Sequence, residues 1–403
     1  MLRRSEDSQM IGSGSGVLRY DTMQLPSNSI SEDDCLSATG REDGEIEWML
    51  FGIYDGHAGW ETAAALRDYL FIYIAYELEA ISSTGAPSDA APQDVDRAIE
   101  KAFLKLDKEI MDQGATAITG PSFLNEAMSR LGPAYSGSCA LVSYYHTESQ
   151  ILKVACTGDS RAVLGRRNAA GEWEAIALSS DQTGHNKDEV ARLHKEHPDE
   201  PKLVKDGRVL GLMVSRAFGD GRWKWSRQVQ EEAQRRFFGP PLREPLISPP
   251  YLTALPVVTT TKIEPENGDF LIMASDGLWD HLTSEQAVDL VSQWLKTYDV
   301  TKDVSPPDLA PTPNAIPARE ISSRRNPNPN MAYTDIRTAD AKHFVMRDEN
   351  AATHLTRNAL GGGNEDMLAG LLTVSPPYSR NVRDDITVNV IFFGKDDTTI
   401  QNL

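Results

Sequence analysis

The chain has 403 residues and is 40% hydrophobic, enough for a sizeable core in one large domain or two to three ordinary ones. A formal charge of −19 argues against nucleic acid or anionic membrane as the main partner, because both would be repelled. The three cysteines are too few for a disulfide framework or a structural zinc site, and the longest apolar run, Tyr69–Tyr76, is too short to span a bilayer.

Residues 1–16 are polar and end in Gly12-Ser-Gly-Ser-Gly16, which reads as a flexible segment. The first residues lack an apolar signal core, and Glu6 and Asp7 speak against a transit peptide, so a cytosolic protein or a missing targeting segment is expected. Val17–Gln24 reads as the first strand. Glu32-Asp33-Asp34 follows, by itself an ordinary solvated turn. Cys35–Ala38 and Trp48–Tyr54 flank a glycine-containing turn, and a hairpin there would hold Glu32 near Asp55. The apolar run Met49–Tyr54 breaks at Asp55-Gly56-His57. Asp-Gly is a common turn, yet this one sets a carboxylate, a free carbonyl and an imidazole at one point, which suits a hard cation beside a proton donor.

Apolar spacing predicts helices over Trp60–Leu78 and Val95–Met111. Strands are expected at Ser138–Tyr145, Ile151–Thr157, Arg161–Arg166 and Glu172–Ala177, with Asp159 in the tight turn between the second and third. Asn186–Glu196 reads as a short helix, capped by Asn186 with Glu189 three residues on. Residues 206–255 read as an irregular insertion, or flap, over the domain surface. Pro256–Lys262 and Asp269–Ser275 are strands, and the second runs into Asp276-Gly277-Leu-Trp-Asp280. A helix over Thr283–Leu295 carries the capping box Thr283/Gln286. Residues 298–342, rich in Pro, Asn and Arg, read as a mobile excursion. A helix at Asn350–Ala359 ends at Gly361–Gly363, Asp384-Asp385 precede a last strand at Ile386–Phe393, and 395–403 is a tail.

Acids thus stand at strand ends or turns in five places: Glu32/Asp33, Asp55, Asp159, Asp276/Asp280 and Asp384/Asp385. Any one of them is readily an ordinary turn acid. Converging at one end of a sheet, they would repel strongly unless cations neutralised them. An all-oxygen donor set without clustered His or Cys selects Mg²⁺ or Mn²⁺ over Zn²⁺, and two such ions can clamp a phosphoryl group during in-line attack.

Phe51-Gly-Ile-Tyr-Asp-Gly-His-Ala-Gly59, Ser136-Gly-Ser-Cys-Ala140, Thr157-Gly-Asp-Ser-Arg161, Ser215-Arg-Ala-Phe-Gly-Asp220, Ala274-Ser-Asp-Gly-Leu-Trp-Asp280 and Arg383-Asp-Asp-Ile-Thr387 occur in the order of the metal-dependent PPM-type (type 2C) Ser/Thr protein phosphatases, which the chain resembles over about residues 17–394. The resemblance implies an α+β fold: a four-layer α/β/β/α sandwich of two antiparallel sheets flanked by helices, with the metals at one end. It implies that Asp55 bridges two Mg²⁺ or Mn²⁺ ions, with the Gly56 carbonyl and Glu32 on one, Asp33 behind Glu32 through water, and Asp276 and Asp384 on the other. Asp159 and Asp280 match positions that hold a third metal in some relatives. His57 matches the general acid that protonates the departing serine oxygen, and Asp385 reads as a cap or supporting group. The substrate is then a phosphoprotein. Gln24-Leu-Pro-Ser-Asn28, Trp223-Lys-Trp-Ser226, Pro250-Tyr-Leu-Thr253 and Arg357-Asn-Ala-Leu360 resemble the mitochondrial branch that acts on the E1 component of the pyruvate dehydrogenase complex.

One position departs from the family. Many relatives bind substrate phosphate with an Arg four residues before the acidic-motif Glu, where this chain has Asn28, and Arg216 is a candidate replacement by its loop context. Ser136, Ser138 and Thr157 read as turn buttresses, and Trp223 and Trp225 as packing anchors. Two rival functions have features of their own. Cys35-x5-Arg41 has the spacing of cysteine-dependent phosphatases, although the preceding acids would raise the thiol pKa. A phosphatase-like scaffold without turnover is the other, and such a protein would be expected to have lost a metal carboxylate.

Overall fold

The structure is a computed structural model that describes residues 2–11, 14–42, 44–81, 91–243, 246–302 and 339–394. Its strands are β1 (Glu6–Met10), β2 (Val17–Leu25), β3 (Asp34–Glu42), β4 (Glu45–Tyr54), β5 (Gly56–His57), β6 (Gly137–Ser138), β7 (Ala140–His146) and β8 (Ile151–Thr157). They continue with β9 (Arg161–Arg167), β10 (Trp173–Ala177), β11 (Val204–Lys205), β12 (Arg208–Val209), β13 (Phe218–Gly219), β14 (Val257–Lys262), β15 (Phe270–Ala274) and β16 (Ile386–Phe393). Two large antiparallel sheets result, ordered β1-β2-β16-β15-β9-β10 and β14-β8-β7-β4-β3.

Period-two alternation explains why the sheets pack face to face. In β15, Leu271 and Met273 enter the core between the sheets, while Phe270, Ile272 and Ala274 face outward to helices. In β4, Met49, Phe51 and Ile53 point between the sheets, while Leu50 and Tyr54 meet the opposite helical layer. That layer is α1 (Glu61–Ile81), α2 (Pro92–Thr119) and α3 (Leu124–Tyr135). Leu66, Leu70, Ile74 and Leu78 of α1 are fully or almost fully buried, as their spacing predicts. The other layer includes α8 (Ser284–Thr297), whose Thr283/Gln286 capping box is formed, and α9 (Ala351–Ala359), capped by Asn350. Trp294 of α8 stacks on Phe392 at 5.2 Å, an aromatic pairing worth roughly 0.5–1.5 kcal/mol beyond its burial. The result is the expected α/β/β/α sandwich.

Several details differ from the sequence reading. Glu6–Met10, inside the segment read as flexible, pair with Arg19–Met23, and Leu2 is buried. These residues are polar because they form an edge strand with a largely solvated face. The helix α3 was not expected: it buries only Ala127, Leu131 and Ala134 and contains Pro133, so its apolar signal is weak. The flap is less irregular than its sequence suggests. It carries α5 (Gly221–Lys224) and α6 (Arg227–Arg236), and Trp225 fits against Gly114 of α2. Between the flap and β9 lies α4 (Lys187–Glu196), capped by Asn186 as predicted. Residues 303–338 of the proposed excursion and the tail 395–403 lie outside the described residues.

Register places the site. Asp34 pairs with Tyr54, Ala140 with Thr157, and Ala274 with both Arg161 and Val388. Hence the ends of β4, β8 and β15, and the starts of β3, β9 and β16, all lie at one end of the sandwich. The five acid-bearing positions singled out in the sequence adjoin these strand ends.

Candidate active site

Asp55, Asp159 and Asp276 each offer a carboxylate oxygen within 4.8 Å of the others. Asp276 opens α7 (Asp276–Trp279), and its backbone N–H donates to Asp55 Oδ2 at 3.4 Å. Burial, and then the charges of Asp276, Asp33 and Asp159, push the Asp55 carboxyl well above its ordinary range. Asp276 is raised in the same way by burial, Asp159, Asp280 and Asp33, which puts Asp280 within electrostatic reach of the group. Asp159 is raised to about 6, chiefly by burial. Carboxylates held this close concentrate negative charge that the nearby Arg380 and His57 only partly offset, and a hard divalent cation fits that charge and the all-oxygen donor set.

Glu32 and Asp33 reach the same end by a different route. Glu32 Oε1 accepts from Gly59 N–H at 2.7 Å, and Oε2 accepts from the Asn28 side chain at 2.8 Å. Gly56 must be glycine, since a Cβ would stand 2.2 Å from the Glu32 carbonyl. Asp33 is buried and accepts from Thr387 Oγ1 at 2.8 Å; burial and Asp385 raise it to about 7. Asp385 organises the acidic loop by accepting from the backbone N–H groups of Ser27, Asn28 and Glu32. The supporting role expected of it is therefore its role in the structure. Asp384 forms an ion pair with Arg380, which also lowers the pKa of Asp276 and Asp33 and so lies close to the acidic group.

His57 is held by a small three-stranded sheet, β13-β6-β5, in which Gly219 and His57 both pair with Gly137. Asp220 follows directly, and its Oδ2 lies 2.8 Å from His57 Nε2 across the central strand. The two side chains meet there only because residue 137 has none: a Cβ would stand 2.2 Å from His57 Nε2. Burial disfavours the charged ring, but Asp220 outweighs it, and the His57 pKa is raised. A protonated imidazole at the edge of an acid cluster can donate a proton to a departing oxygen. Asp220 belongs to a motif noted in the sequence, but its link to His57 was missed, because it depends on three segments far apart in the chain.

The protein phosphatase 2C family model matches residues 19–311. A protein phosphatase 2C homolog of Schizosaccharomyces pombe is 42% identical over 94% of this chain and 81% of its own length. Pyruvate dehydrogenase (acetyl-transferring) phosphatase 1, mitochondrial, of Saccharomyces cerevisiae is 39% identical over 98% of this chain and 72% of its own. The chain belongs to the protein phosphatase 2C family. A serine-threonine phosphatase 2C from Toxoplasma gondii has the same fold, at TM-score 0.52 and 16% identity over 96% of this chain and 99% of its own. The protein is accordingly a metal-dependent serine/threonine protein phosphatase.

Within this phosphatase, two sequence candidates fall away. Arg216 does not face substrate: Glu189 Oε1 accepts from its Nη2 at 2.6 Å, and Leu255 O accepts from its Nη1 at 2.7 Å. Glu189 is thus the partner of Arg216, Arg192 and Ser215 rather than half of a capping box. Cys35 is excluded as a nucleophile, since burial, Asp34 and Asp33 push its thiol up to about 12. Arg41 donates to Gly44 O at the far end of the same strand, well away from Cys35. The buttress roles hold: Ser136 Oγ donates to Gly132 O at 2.9 Å and Thr157 Oγ1 to Ala254 O at 2.9 Å. Asp107 of α2 was not foreseen; it accepts from Gly219 N–H and Lys224 Nζ and so pins the base of the flap.

Proposed function

We propose that this phosphatase removes phosphate from serine or threonine of the phosphorylated E1 component of pyruvate dehydrogenase, in the mitochondrion, at a centre for two Mg²⁺ or Mn²⁺ ions. The carboxylate group of Asp55, Asp159 and Asp276 beside the His57–Asp220 pair carries the catalytic part of this reading. The name of the yeast relative supports the substrate and the compartment. Glu32, Asp55, the Gly56 carbonyl, Asp276 and Asp384 would hold the two ions, with Asp159 and Asp280 available to a third and Asp33 behind them. Bound there, the ions supply Lewis acidity and a water of lowered pKa.

The chain's own groups do the rest. His57 delivers a proton to the serine oxygen as it leaves, and Asp220 keeps the imidazole charged and aimed. Arg380, about 39% exposed beside Asp384, takes the place of the arginine that Asn28 lacks and meets the phosphoryl oxygens. Asn28 is committed to Glu32 and Arg216 to Glu189, which leaves Arg380 as the base at hand. A groove lined by Ile30, Trp60, Pro376 and Pro377 opens at Glu32 and offers apolar contact to residues flanking the phosphoserine. The test is dephosphorylation of phospho-E1 and of unrelated phosphopeptides with Mn²⁺, Mg²⁺ or chelator. The expected result is metal-dependent turnover with higher kcat/KM on phospho-E1. Equal kcat/KM on all substrates would refute the substrate assignment, and turnover in chelator would refute the metal centre.

A further inference from the structure

Phe103, Asp107, Met111 and Gly114 recur at helical spacing on α2, and this face meets one segment of the flap point by point. Phe103 packs on Phe218 with ring centroids 5.3 Å apart. Asp107 Oδ1 accepts from Gly219 N–H at 3.0 Å. Lys224 Nζ, at the end of α5, donates to both oxygens of Asp107 at 2.7 Å and to Ala217 O at 2.7 Å. The Met111 carbonyl accepts from Trp225 Nε1 at 3.2 Å, and the indole lies against Gly114. Asp220 stands in the middle of the segment held this way.

What the clamp holds is a strained turn. Gly219 and Asp220 lie one after the other in the left-handed region, with φ of 69° and 58°. Residues adopt this conformation singly as a rule, and two in a row keep it only where surrounding bonds fix them. Both N–H groups are fixed: Gly219 by Asp107, and Asp220 by the Ser136 carbonyl at 2.8 Å. The Asp220 side chain has less to hold it. Its Oδ2 meets His57 Nε2, whereas Oδ1 is buried without a hydrogen-bond donor among the described residues. A carboxylate tied at one oxygen takes its aim from the backbone that carries it. Charge matters as well as shape. Burial raises the Asp107 carboxyl, Lys224 and the Gly219 N–H oppose the rise, and the charge of Asp220 adds to it, so the two carboxylates repel each other. Lys224, whose side chain is 6% exposed, neutralises Asp107 and so relieves the push on Asp220.

We propose that Asp107 and Lys224 are positioning residues for proton delivery: by holding the Gly219 N–H and the end of α5 against α2, they aim Asp220, and through it His57, at the departing oxygen. They act through Asp220 rather than on the substrate. The proposal rests on the reading of His57 as the proton donor.

The test is kcat and KM of the full chain at saturating Mn²⁺ on a phosphoserine peptide and on an aryl phosphate, whose phenolate leaves unprotonated. The double variant Asp107→Ala/Lys224→Met removes both charges together, so no unpaired buried charge is left to unfold the protein. Its kcat on phosphopeptide should fall about tenfold, with KM for the peptide and kcat on the aryl phosphate within about twofold of wild type. Asp107→Asn/Lys224→Met keeps an acceptor for the Gly219 N–H and should show the same selectivity at about threefold, which decides the matter if the first variant does not fold. Placed in an Asp220→Asn background, the first pair should cost less than about twofold more, because the charge it aims is gone. A purely structural role gives equal loss on both substrates, or a loss that multiplies with that of Asp220→Asn, and either would overturn the proposal. So would undiminished kcat on phosphopeptide in Asp107→Ala/Lys224→Met. His57→Gln keeps the two readings apart. Selective loss there, with equal loss in the Asp107/Lys224 variants, overturns the positioning alone; equal loss on both substrates in His57→Gln overturns the proton donor and the positioning with it.

Discussion

Asp220→Asn separates proton delivery from the rest of the site. Asp220 adopts a left-handed backbone with φ of 58°, which Asn tolerates better than most residues, so the substitution removes charge with little backbone strain. What is lost is a charge-assisted hydrogen bond of 2.8 Å to His57, from a carboxylate fully shielded from solvent. Such a bond is worth about 1.5–3 kcal/mol. At about 1.4 kcal/mol per tenfold, the expected loss in kcat is roughly 10–100-fold, below or at the lower end of the range of about 10²–10⁴ that general acid catalysis contributes, because His57 itself remains. The loss is confined to substrates whose leaving oxygen needs a proton. A phosphoserine peptide loses the full factor, whereas an aryl phosphate, whose phenolate leaves unprotonated, loses little. The assay is kcat on both substrates at saturating Mn²⁺, with His57→Gln alongside. Equal loss on both substrates would refute the reasoning and make Asp220 a structural or cation-binding group.

Three further outcomes are expected. Arg380→Ala should raise KM for phosphopeptide about tenfold through loss of a charge-assisted phosphate contact, while Mn²⁺ activates at equal or lower concentration because Asp384 is freed; weaker Mn²⁺ activation would show that Arg380 only clamps Asp384. Asp385→Ala strips the acceptor from three backbone N–H groups of the acidic loop, costing roughly 3 kcal/mol at about 1 kcal/mol each, and should raise the Mn²⁺ concentration needed for half-activity as Glu32 shifts. Glu189→Gln leaves the Arg216 charge buried and unpaired, and chemical denaturation should show a loss of about 3–5 kcal/mol. Burial opposes ionisation of Glu189, but Arg216, Arg192 and Ser215 prevail and hold its pKa at about 2, below the ordinary 4.5. Its stabilisation is therefore complete above pH 4.5 and fades as pH falls toward 2, a slope that Glu189→Gln should lack.

The sandwich was legible because its strands are apolar, short and cleanly bounded: Ile151–Thr157 and Ile386–Phe393 have the predicted limits. The acids at their ends were legible too, since a strand followed by Asp-Gly is a local signal. Contacts between distant segments were not. His57 and Asp220 are joined by a three-stranded sheet of two-residue strands, below the length at which alternation can be read. Glu189 sits where a capping box would put an acid, and only the fold shows that Arg216 claims it. The strand Glu6–Met10 was hidden because an edge strand needs no apolar run.

The electrostatics of the molecule divide by purpose. Away from the site, several carboxylates of restricted exposure meet arginine or lysine, Asp21, Asp269 and Asp348 with arginines and Asp107 with Lys224, while Glu200 is held by Ser248 and Tyr251. At the end of the sandwich the rule is suspended. Asp55, Asp159 and Asp276 are crowded together with Asp33 close by, while Arg380 pairs with Asp384 and Arg161 with Asp181. A fold selected only for stability would place an arginine or an apolar side chain among them, since unpaired buried carboxylates cost several kcal/mol. The deficit persists because three β turns and an acidic loop are fixed by register at one end, where no local rearrangement separates the acids. A centre built this way leaves its neutralisation to a cation taken from solution, so chelation should lower the melting temperature as well as abolish turnover. The size of that drop measures how much of the stability of the fold was ceded to the site.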